Sequence, residues 1–339
     1  MTDNKSLPDS MKAVFLEKQD GRFIVKDIPV PQPSDGEVLV KILAAPVNPS
    51  DIAAVKRITN QEELKSTIPG HEGSGIVVAS GKGLLPFIMA GKRVACSSSY
   101  HTCGTWSEYM VTKAGMCFPL GEKVTDEQGS MSLVNPLTAI GFFEIVEKEK
   151  HKALINNAAA SSLGRMVELI GNKKGISVIN LVRNKKQAEL LSITGSSHVL
   201  NSTDPLFINR LKAKVEELDA TILFDSVCNP LLQKMAETLP YGSSVVIYGN
   251  LSGEENIFFN PRNLIENNIK ISGFYLGNKA KENGLIKNII NLRKVTKLMS
   301  SDLTIKVQGR FPLEKVEEAL ETYLSDMSSG KVLLVPGMG

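Results

Sequence analysis

The sequence predicts an α/β protein with two domains, one rich in β-strands and one built on a parallel sheet. At 339 residues the chain is too long for one ordinary hydrophobic core. Residues 11–130 contain short alternating apolar runs separated by Gly, Pro, Ser and Asp, which is typical of an irregular, partly open β-barrel. From Ala153 onward, apolar strands alternate with helical runs, as in a doubly wound parallel sheet.

The order of these patterns gives the predicted domains. Residues 1–10 are a polar extension that we expect to be flexible, because they carry no apolar periodicity. Residues 11–130 and 277–339 are assigned to the β-rich catalytic domain, since the parallel sheet is complete without the last strands. Residues 131–276 form the dinucleotide-binding (Rossmann) domain, with Asn135 and Pro136 predicted to separate two helices near its start.

Composition narrows the classes of function. With 42% hydrophobic residues, 22% charged residues and a net charge of +3, the chain has ordinary globular usage and no basic block that predicts nucleic-acid binding. No apolar run reaches the length of a membrane span, and the N-terminus lacks a signal-peptide core. Four cysteines lack the paired spacing of a disulfide framework, so we expect a cytoplasmic protein: Cys96, Cys103, Cys117 and Cys228.

The stretch from Lys152 to Arg183 is the centre of the predicted cofactor site. A short strand, a turn of small residues, a helix and a second strand follow one another within about thirty residues, as in the first unit of a dinucleotide-binding fold. The three glycine positions of the GxGxxG fingerprint are Ala159, Ser161 and Gly164, so the motif alone also fits any tight strand-to-helix turn. The six-strand alternation favours the cofactor interpretation. The residues predicted to approach a diphosphate are Ala160, Ser161, Ser162, Leu163 and Gly164.

The end of the second strand indicates which cofactor is bound. An acidic residue usually meets the free ribose hydroxyls there, whereas this chain has Arg183, Lys185 and Lys186. Cations suit a 2′-phosphate, and arginine can bind it with two hydrogen bonds. The alternative is a solvated basic helix start, which the helix dipole disfavours. The sequence therefore predicts NADPH.

Two pairs of residues resemble metal ligands. His71 with Glu72, and His101 with Cys103, carry side chains that zinc accepts. A zinc site needs at least a third protein ligand, and the sequence supplies none at a reliable spacing. We therefore predict no metal site, and expect His71 and Glu72 to make hydrogen bonds at the entry to a strand.

Five strings in order along the chain resemble the medium-chain dehydrogenase/reductase superfamily, and within it the zinc-free quinone oxidoreductase and enoyl reductase branch. The resemblance covers nearly the whole chain from Met11. The strings are VNPSD at Val47–Asp51, PGHEGSG at Pro69–Gly75, GTWSEYM at Gly104–Met110, NPLTA at Asn135–Ala139 and GKVLLVP at Gly330–Pro336.

The departures from that family are also informative. Zinc-dependent alcohol dehydrogenases of the superfamily have cysteines near the positions of Asn48 and Val134, and a four-cysteine zinc lobe; this chain has none of these. Mitochondrial-type enoyl reductases carry a tyrosine proton donor shortly after the NPSD string. No tyrosine lies between Asn48 and His71, which favours a quinone acceptor over an enoyl thioester.

The resemblance also implies where the nicotinamide is positioned. The residues it designates are Asn48, Thr138, Gly249, Asn250, Leu251, Phe274, Tyr275 and Leu276, and the prediction adds Lys331 in the GKVLLVP string. Tyr100 and His101 are candidate proton donors, because their loop is expected near the cleft between the two domains, where the resemblance places hydride transfer.

The function implied is hydride transfer from NADPH to a quinone or a similar small electrophile, without zinc. Two alternatives stay open: reduction of enoyl thioesters or other α,β-unsaturated carbonyls, and a non-catalytic scaffold or regulatory protein that retains the cofactor fold. The resemblance also implies a homodimer, formed through the strand near Ile269–Tyr275. We expect neither nucleic acid nor membrane insertion.

Overall fold

The computed structural model describes residues 7–17, 22–59, 68–98, 103–193, 195–301 and 303–338. The chain forms two compact units, Met1–Val134 together with Leu292–Gly339, and Asn135–Asn291. The sequence analysis placed the corresponding domain boundaries after residues 130 and 276.

The strands follow the predicted division between a β-rich part and an alternating part. They are β1 Ser10–Leu16, β2 Phe23–Pro29, β3 Glu37–Pro46, β4 Glu72–Ser80, β5 Arg93–Ser97, β6 Tyr109–Lys113, β7 Cys117–Pro119, β8 Ala153–Asn156, β9 Ser177–Val182, β10 Val199–Asn201, β11 Ala220–Asp225, β12 Ser244–Ile247, β13 Lys270–Gly273, β14 Val307–Phe311 and β15 Lys331–Leu334.

The helices lie mainly in the second half of the chain. They are α1 Pro49–Thr59, α2 Leu84–Met89, α3 Asp126–Ser130, α4 Val134–Glu149, α5 Ser162–Lys174, α6 Lys185–Ile193, α7 Phe207–Leu218, α8 Leu231–Ala236, α9 Pro261–Glu266, α10 Leu276–Ser301 and α11 Val316–Ser325. Within the described parts of the chain, no helix combines the length and apolarity that crossing a membrane requires.

The first unit is built around β3, which pairs with three other strands. The main sheet has the order β14-β15-β3-β4-β5-β7, with β6 also paired to β3, and β1 and β2 form a separate antiparallel ladder. Alternate residues of β3, such as Val38, Val40 and Ile42, pack with Trp106 in one core because side chains of a strand point to opposite faces. The C-terminal β15 lies directly beside β3, pairing Leu334 with Ala45.

The second unit is a six-stranded sheet of order β10-β9-β8-β11-β12-β13, in which every pair is parallel. Counted from its first strand, this is the 3-2-1-4-5-6 order of a dinucleotide-binding fold. All four residues of β8 are buried, as a central strand covered on both faces requires. The predicted fold class, a partly open β-rich domain with a Rossmann domain, is confirmed.

One predicted helix break is displaced. The sequence placed it at Asn135 and Pro136, but α4 begins at Val134 and contains both residues. Proline is tolerated in the first turn, where a backbone N–H has no helical acceptor to lose. The interval between α3 and α4 is residues 131–133. Helix α10 is itself interrupted at Gly284, where φ is 67°.

Candidate functional site

The turn between β8 and α5 places backbone against backbone at the start of the helix. A Cβ atom on Gly164 would lie 2.4 Å from the carbonyl oxygen of Ala159, so only glycine allows this approach. Ser161 is the N-cap of α5, and its hydroxyl accepts a hydrogen bond of 3.0 Å from the Gly164 N–H. The fingerprint position that kept its glycine is therefore one where the start of α5 packs directly against the backbone of the preceding turn.

The end of α5 that follows this turn suits an anion. The helix spans Ser162–Lys174 and has no acidic residue in its first turn, while Lys173 and Lys174 lie in its last turn. Unpaired N–H groups at a helix N-terminus and the aligned peptide dipoles both favour negative charge there. This arrangement fits the prediction that a dinucleotide diphosphate lies against the residues from Ala160 to Gly164.

Basic residues follow β9 at the same edge of the sheet, because the carboxyl ends of parallel strands lie together. Arg183 is exposed, and its backbone N–H donates to the Gln187 side chain at 3.2 Å. Asn184 in turn accepts a hydrogen bond of 2.9 Å from the Gln187 N–H. Lys185 and Lys186 are also exposed, and the first turn of α6 contains no acid. The three predicted cations thus share the start of α6.

The end of β11 contributes a buried acid that the sequence did not single out. Asp225 is buried and accepts hydrogen bonds from the N–H groups of Val227 at 3.0 Å and Cys228 at 2.7 Å, and from the Asn157 side chain. The Asp-Ser pair directly after the apolar run of β11 was the available signal. This carboxylate fixes the loop that follows β11 against the turn that follows β8.

The predicted nicotinamide loops lie after β12 and β13. The Leu251 N–H donates to the Ser226 carbonyl at 2.8 Å, so the Gly249–Leu251 loop is attached to the end of β11. Phe274 packs edge-on against Phe142, with ring centroids 5.0 Å apart. Thr138 is buried on α4, and Tyr275 and Leu276 follow Phe274 at the start of α10.

The first unit contains a buried charge cluster of Asn48, Asp51, Glu72 and Lys331. The Lys331 ammonium group donates to the Asn48 side-chain oxygen. The Asn48 amide donates to one Glu72 oxygen at 3.1 Å, and the other Glu72 oxygen accepts from the Leu133 and Val134 N–H groups at 3.0 and 2.9 Å. All of these groups are satisfied by hydrogen bonds, as burial requires.

Burial of this cluster shifts the pKa values of its charged members. Burial raises the pKa of Glu72, although the Lys331 charge opposes that rise. Burial lowers the pKa of Lys331, and the charges of Glu72 and Asp51 oppose that fall. Asn48 and Lys331, predicted separately from the sequence, are thus in direct contact.

Asp51 connects this cluster to His71. One Asp51 oxygen accepts from the Asn48 N–H at 2.8 Å. The other accepts from the His71 N–H at 2.9 Å and is paired with Nδ1 of the His71 ring. The Asp51 side chain is fully buried, whereas that of His71 is 21% exposed.

Some predicted residues lie outside this description. Tyr100 and His101 fall on residues 99–102, which the structure does not describe.

Among the described residues, no three His, Cys, Asp or Glu side chains are grouped so that they could hold a metal ion. The thiols of Cys96 and Cys117 are buried, and burial raises the pKa of Cys117 to about 12.

Both the N-terminal and the C-terminal half of this chain are similar to known proteins. Residues 34–122 match the family model of the alcohol dehydrogenase GroES-like domain, and residues 162–291 match that of zinc-binding dehydrogenase. The structure of a putative NADPH:quinone reductase from Mesorhizobium loti is similar over 98% of this chain and 100% of that one, with 31% identity and a TM-score of 0.89.

Two curated relatives cover most of the chain. A mitochondrial enoyl-[acyl-carrier-protein] reductase from Arabidopsis thaliana is 27% identical over 79% of this chain and 72% of its own length. A quinone oxidoreductase from Homo sapiens is 24% identical over 96% of this chain and 98% of its own length.

Proposed function

Because the chain belongs to the medium-chain dehydrogenase/reductase superfamily and is an oxidoreductase of its quinone oxidoreductase-like branch, we propose that it transfers hydride from NADPH to a quinone or similar small electrophile, without zinc. The observation that carries this proposal is the edge of the parallel sheet, where the Gly164 turn and the Arg183 cations lie at the carboxyl ends of β8 and β9. The M. loti structure, described as a putative NADPH:quinone reductase, supports the same acceptor.

NADPH, when bound, supplies the hydride, and the residues of this chain bind and orient it. The N-terminal amides of α5 would hold its diphosphate. Arg183, Lys185 and Lys186 would surround its 2′-phosphate, since the first turn of α6 has no acid. Lys185 would then exchange its exposed pair with Glu189, at 3.9 Å, for the phosphate. Asn48 and Thr138, with the loops after β12 and β13, remain our proposed contacts to the nicotinamide.

The side chains around His71 do not fit a zinc ion. The Asp51 carboxylate is occupied by Nδ1 of His71 and two N–H groups, and the Glu72 carboxylate by Asn48 and two further N–H groups. The Lys331 ammonium contacts Asn48 directly, so a positive charge is already present in this cluster. A dication would need thiolate or free imidazole and carboxylate donors instead. We therefore propose zinc-independent chemistry.

Reduction of an enoyl thioester is the second candidate, because the Arabidopsis relative is named for that activity. The two reactions place the proton differently. An activated alkene must be protonated on carbon, whereas a reduced quinone is protonated on oxygen, which exchanges readily with water. The absence of a tyrosine between Asn48 and His71 favours the quinone.

The function is tested by following NADPH oxidation with a benzoquinone, a crotonyl thioester and a small enone, in the presence and absence of a zinc chelator. We expect the quinone to be reduced fastest and the chelator to have no effect. Turnover of the thioester alone would replace the first proposal by the second. If NADPH fails to raise the melting temperature at millimolar concentration, the non-catalytic scaffold becomes the better account.

The cofactor preference is tested by Arg183→Ala. Loss of charge-assisted hydrogen bonds to a phosphate costs about 1.5–3 kcal/mol, so the Kd for NADPH should rise about 10- to 100-fold while the Kd for NADH stays within about twofold. Arg262→Ala is the matched control, since Arg262 is exposed in the same unit and pairs with Glu266 at 2.7 Å. Equal losses for both cofactors would contradict the 2′-phosphate assignment.

We further propose that the protein forms a homodimer through β13, the last strand of the parallel sheet. All four residues of this strand are exposed, including Ile271, and the unpaired N–H and C=O groups of an uncovered edge strand favour pairing with another strand. Sedimentation equilibrium should give twice the monomer mass of 36.8 kDa. A monomer at micromolar concentration would contradict it. The acceptor is proposed as the only other partner, with neither nucleic acid nor membrane.

A further inference from the structure

Two asparagine residues lie side by side inside the parallel sheet, next to the turn that follows β8. Asn156 is the last residue of β8, and the parallel register pairs it with Asn180 of β9. Both residues are fully buried. Apolar side chains are usual in the strands of a parallel sheet, and a buried polar side chain needs hydrogen-bond partners. The partners of this pair therefore indicate what it does.

A chain of hydrogen bonds joins the asparagine pair to α5. The Asn156 amide nitrogen donates to the Gly164 carbonyl and to the Asn180 side-chain oxygen, each at 3.0 Å. The Asn180 amide nitrogen donates to one Glu168 oxygen at 2.6 Å, and the other Glu168 oxygen accepts from Asn172 at 3.3 Å. The chain thus runs from the first turn of α5 through two strands and back to the middle of the same helix.

The groups at the two ends of this chain fix its direction. A backbone carbonyl and a carboxylate only accept hydrogen bonds, so the amides between Gly164 and Glu168 must direct their N–H bonds toward these ends. Both hydrogens of the Asn156 nitrogen are then used, and its oxygen is left buried with no donor among the described residues. A buried acceptor without a partner destabilises the folded state. Its presence here is the consequence of holding the Gly164 carbonyl and Asn180 with one amide group.

The Asn156 hydrogen bond acts on the residue at which α5 packs against the turn. The Gly164 N–H donates to the Ser161 hydroxyl at 3.0 Å, and the Gly164 carbonyl accepts from Asn156. Side chains therefore fix both polar groups of this backbone. The first-turn amides that remain for an anion belong to Ser162 and Leu163, which lie in the same turn as Gly164.

We infer that Asn156 is a positioning residue for the diphosphate of the cofactor, and that Asn180 and Glu168 hold its amide in one orientation. This inference rests on the dinucleotide site proposed above. Because Asn156 is fully buried, it acts through the turn and does not touch the cofactor. Hydrogen bonds in a chain polarise one another, so the carboxylate at one end strengthens the donation to Gly164 at the other.

The first test is Asn156→Leu, which keeps a side chain of similar size and removes the amide. The Kd values for NADPH and NADH should rise by the same factor, about three- to tenfold, which corresponds to the loss of one neutral hydrogen bond. The Kd for adenosine 2′-phosphate, which has no diphosphate, should stay within about twofold of the wild type. This pattern differs from that of Arg183→Ala, which is expected to weaken NADPH binding alone.

The melting temperature separates positioning from folding. Asn156→Leu removes one unpartnered acceptor and creates another, because the Asn180 oxygen loses its donor. The melting temperature should therefore change by less than about 4 °C. Ser243→Ala is the matched control, because Ser243 is fully buried in the same unit and donates to the Pro240 carbonyl at 2.7 Å. This control should leave all three Kd values unchanged.

Two substitutions of Glu168 test the chain itself. Glu168→Gln keeps an oxygen that can accept from Asn180, so the Kd for NADPH should stay within about twofold of the wild type. Glu168→Met removes the acceptor and allows the Asn180 amide to turn over, so the Kd should rise as in Asn156→Leu. Equal affinities of the two Glu168 variants for NADPH would overturn the role of Asn180 and Glu168 in orienting Asn156.

The outcomes distinguish this inference from the proposed function. If Asn156→Leu binds both dinucleotides as tightly as the wild type, the inference is overturned while the reductase assignment stands. If the variant loses affinity for adenosine 2′-phosphate in the same proportion, or melts far below the wild type, Asn156 is structural and the inference is again overturned. If the wild type binds neither dinucleotide, the proposed function fails, and the positioning role of Asn156 fails with it.

Discussion

The two predicted binding regions of this chain are built by opposite means. The turn after β8 uses backbone groups and small side chains, with Gly164 packed against Ala159 and one serine hydroxyl as a cap. The buried charge cluster of Asn48, Asp51, Glu72 and Lys331 uses side chains drawn from α1, β4, β15 and the residue just before α1. The first region therefore depends on shape, and the second on the pairing of charges.

This difference predicts how each region fails. A backbone site loses function when a side-chain atom is added, because the free space is the functional feature. A buried ion cluster loses stability when one partner is removed, because the remaining charge has neither water nor a counter-ion. Substitutions can separate these two modes of failure.

The largest effect is expected from Lys331→Met in the charge cluster. This change leaves Glu72 buried without the ammonium group that opposes its desolvation, and breaking a buried pair on one side costs about 3–5 kcal/mol. Urea unfolding followed by Trp106 fluorescence reports on this unit, since Trp106 is the single tryptophan and is buried in the same core.

The double variant Glu72→Gln with Lys331→Met tests the cause. It removes both charges, so most of the lost stability should return. Lys152→Met is the control for losing a surface lysine, because its pair with Asp219 is exposed, and its unfolding midpoint should not move measurably. If the double variant is as unstable as the sum of its single variants, charge pairing does not hold this cluster together.

The sequence predicted the backbone region better than the charge cluster, for a physical reason. The strand, turn and helix that surround Gly164 are local patterns, and β9 follows them at Ser177–Val182, within the predicted stretch from Lys152 to Arg183. The contact of Lys331 with Asn48 joins residues 283 positions apart. It depends on β15 pairing beside β3 in one register, which no local pattern encodes.

The distinction between local patterns and long-range contacts also explains what the sequence left open about His71. The sequence showed a histidine and a glutamate at the entry to a strand, and it suggested hydrogen bonds there. Which acid would face the ring was not visible, because Asp51 lies 20 positions earlier in the sequence and reaches the ring only through the position of α1. Asp225 was missed for a related reason, since its contact with Asn157 forms only when β8 and β11 pair.

An intermediate effect is expected from Gly164→Ala in the backbone region. Alanine normally stabilises a helix relative to glycine by about 0.5–1 kcal/mol, but here the new Cβ would lie 2.4 Å from a backbone oxygen. Relief of that overlap must move the turn, at a cost of about 1–3 kcal/mol, and should also weaken NADPH binding.

Gly121→Ala is the matched control, because no atom lies within 4 Å of the position where its Cβ would be. Calorimetry and NADPH titration of both variants check the expectation. A Gly164→Ala variant that is more stable than the wild type, with unchanged affinity for NADPH, would show that the close approach does not shape the site.

The smallest effect is expected from Ser161→Gly, which restores a second glycine of the fingerprint. The backbone of Ser161 is extended, with φ of −67°, so glycine is not needed for conformation. Its hydroxyl caps the Gly164 N–H at 3.0 Å; loss of a cap to glycine costs only a few tenths of a kcal/mol, against about 1 kcal/mol for loss to alanine. Titration should therefore give an NADPH Kd within about twofold of the wild type for Ser161→Gly, and thermal unfolding should rank Ser161→Ala below it. A tenfold gain in affinity on restoring the glycine would mean that the serine side chain obstructs the diphosphate, and that side chains as well as backbone shape this region.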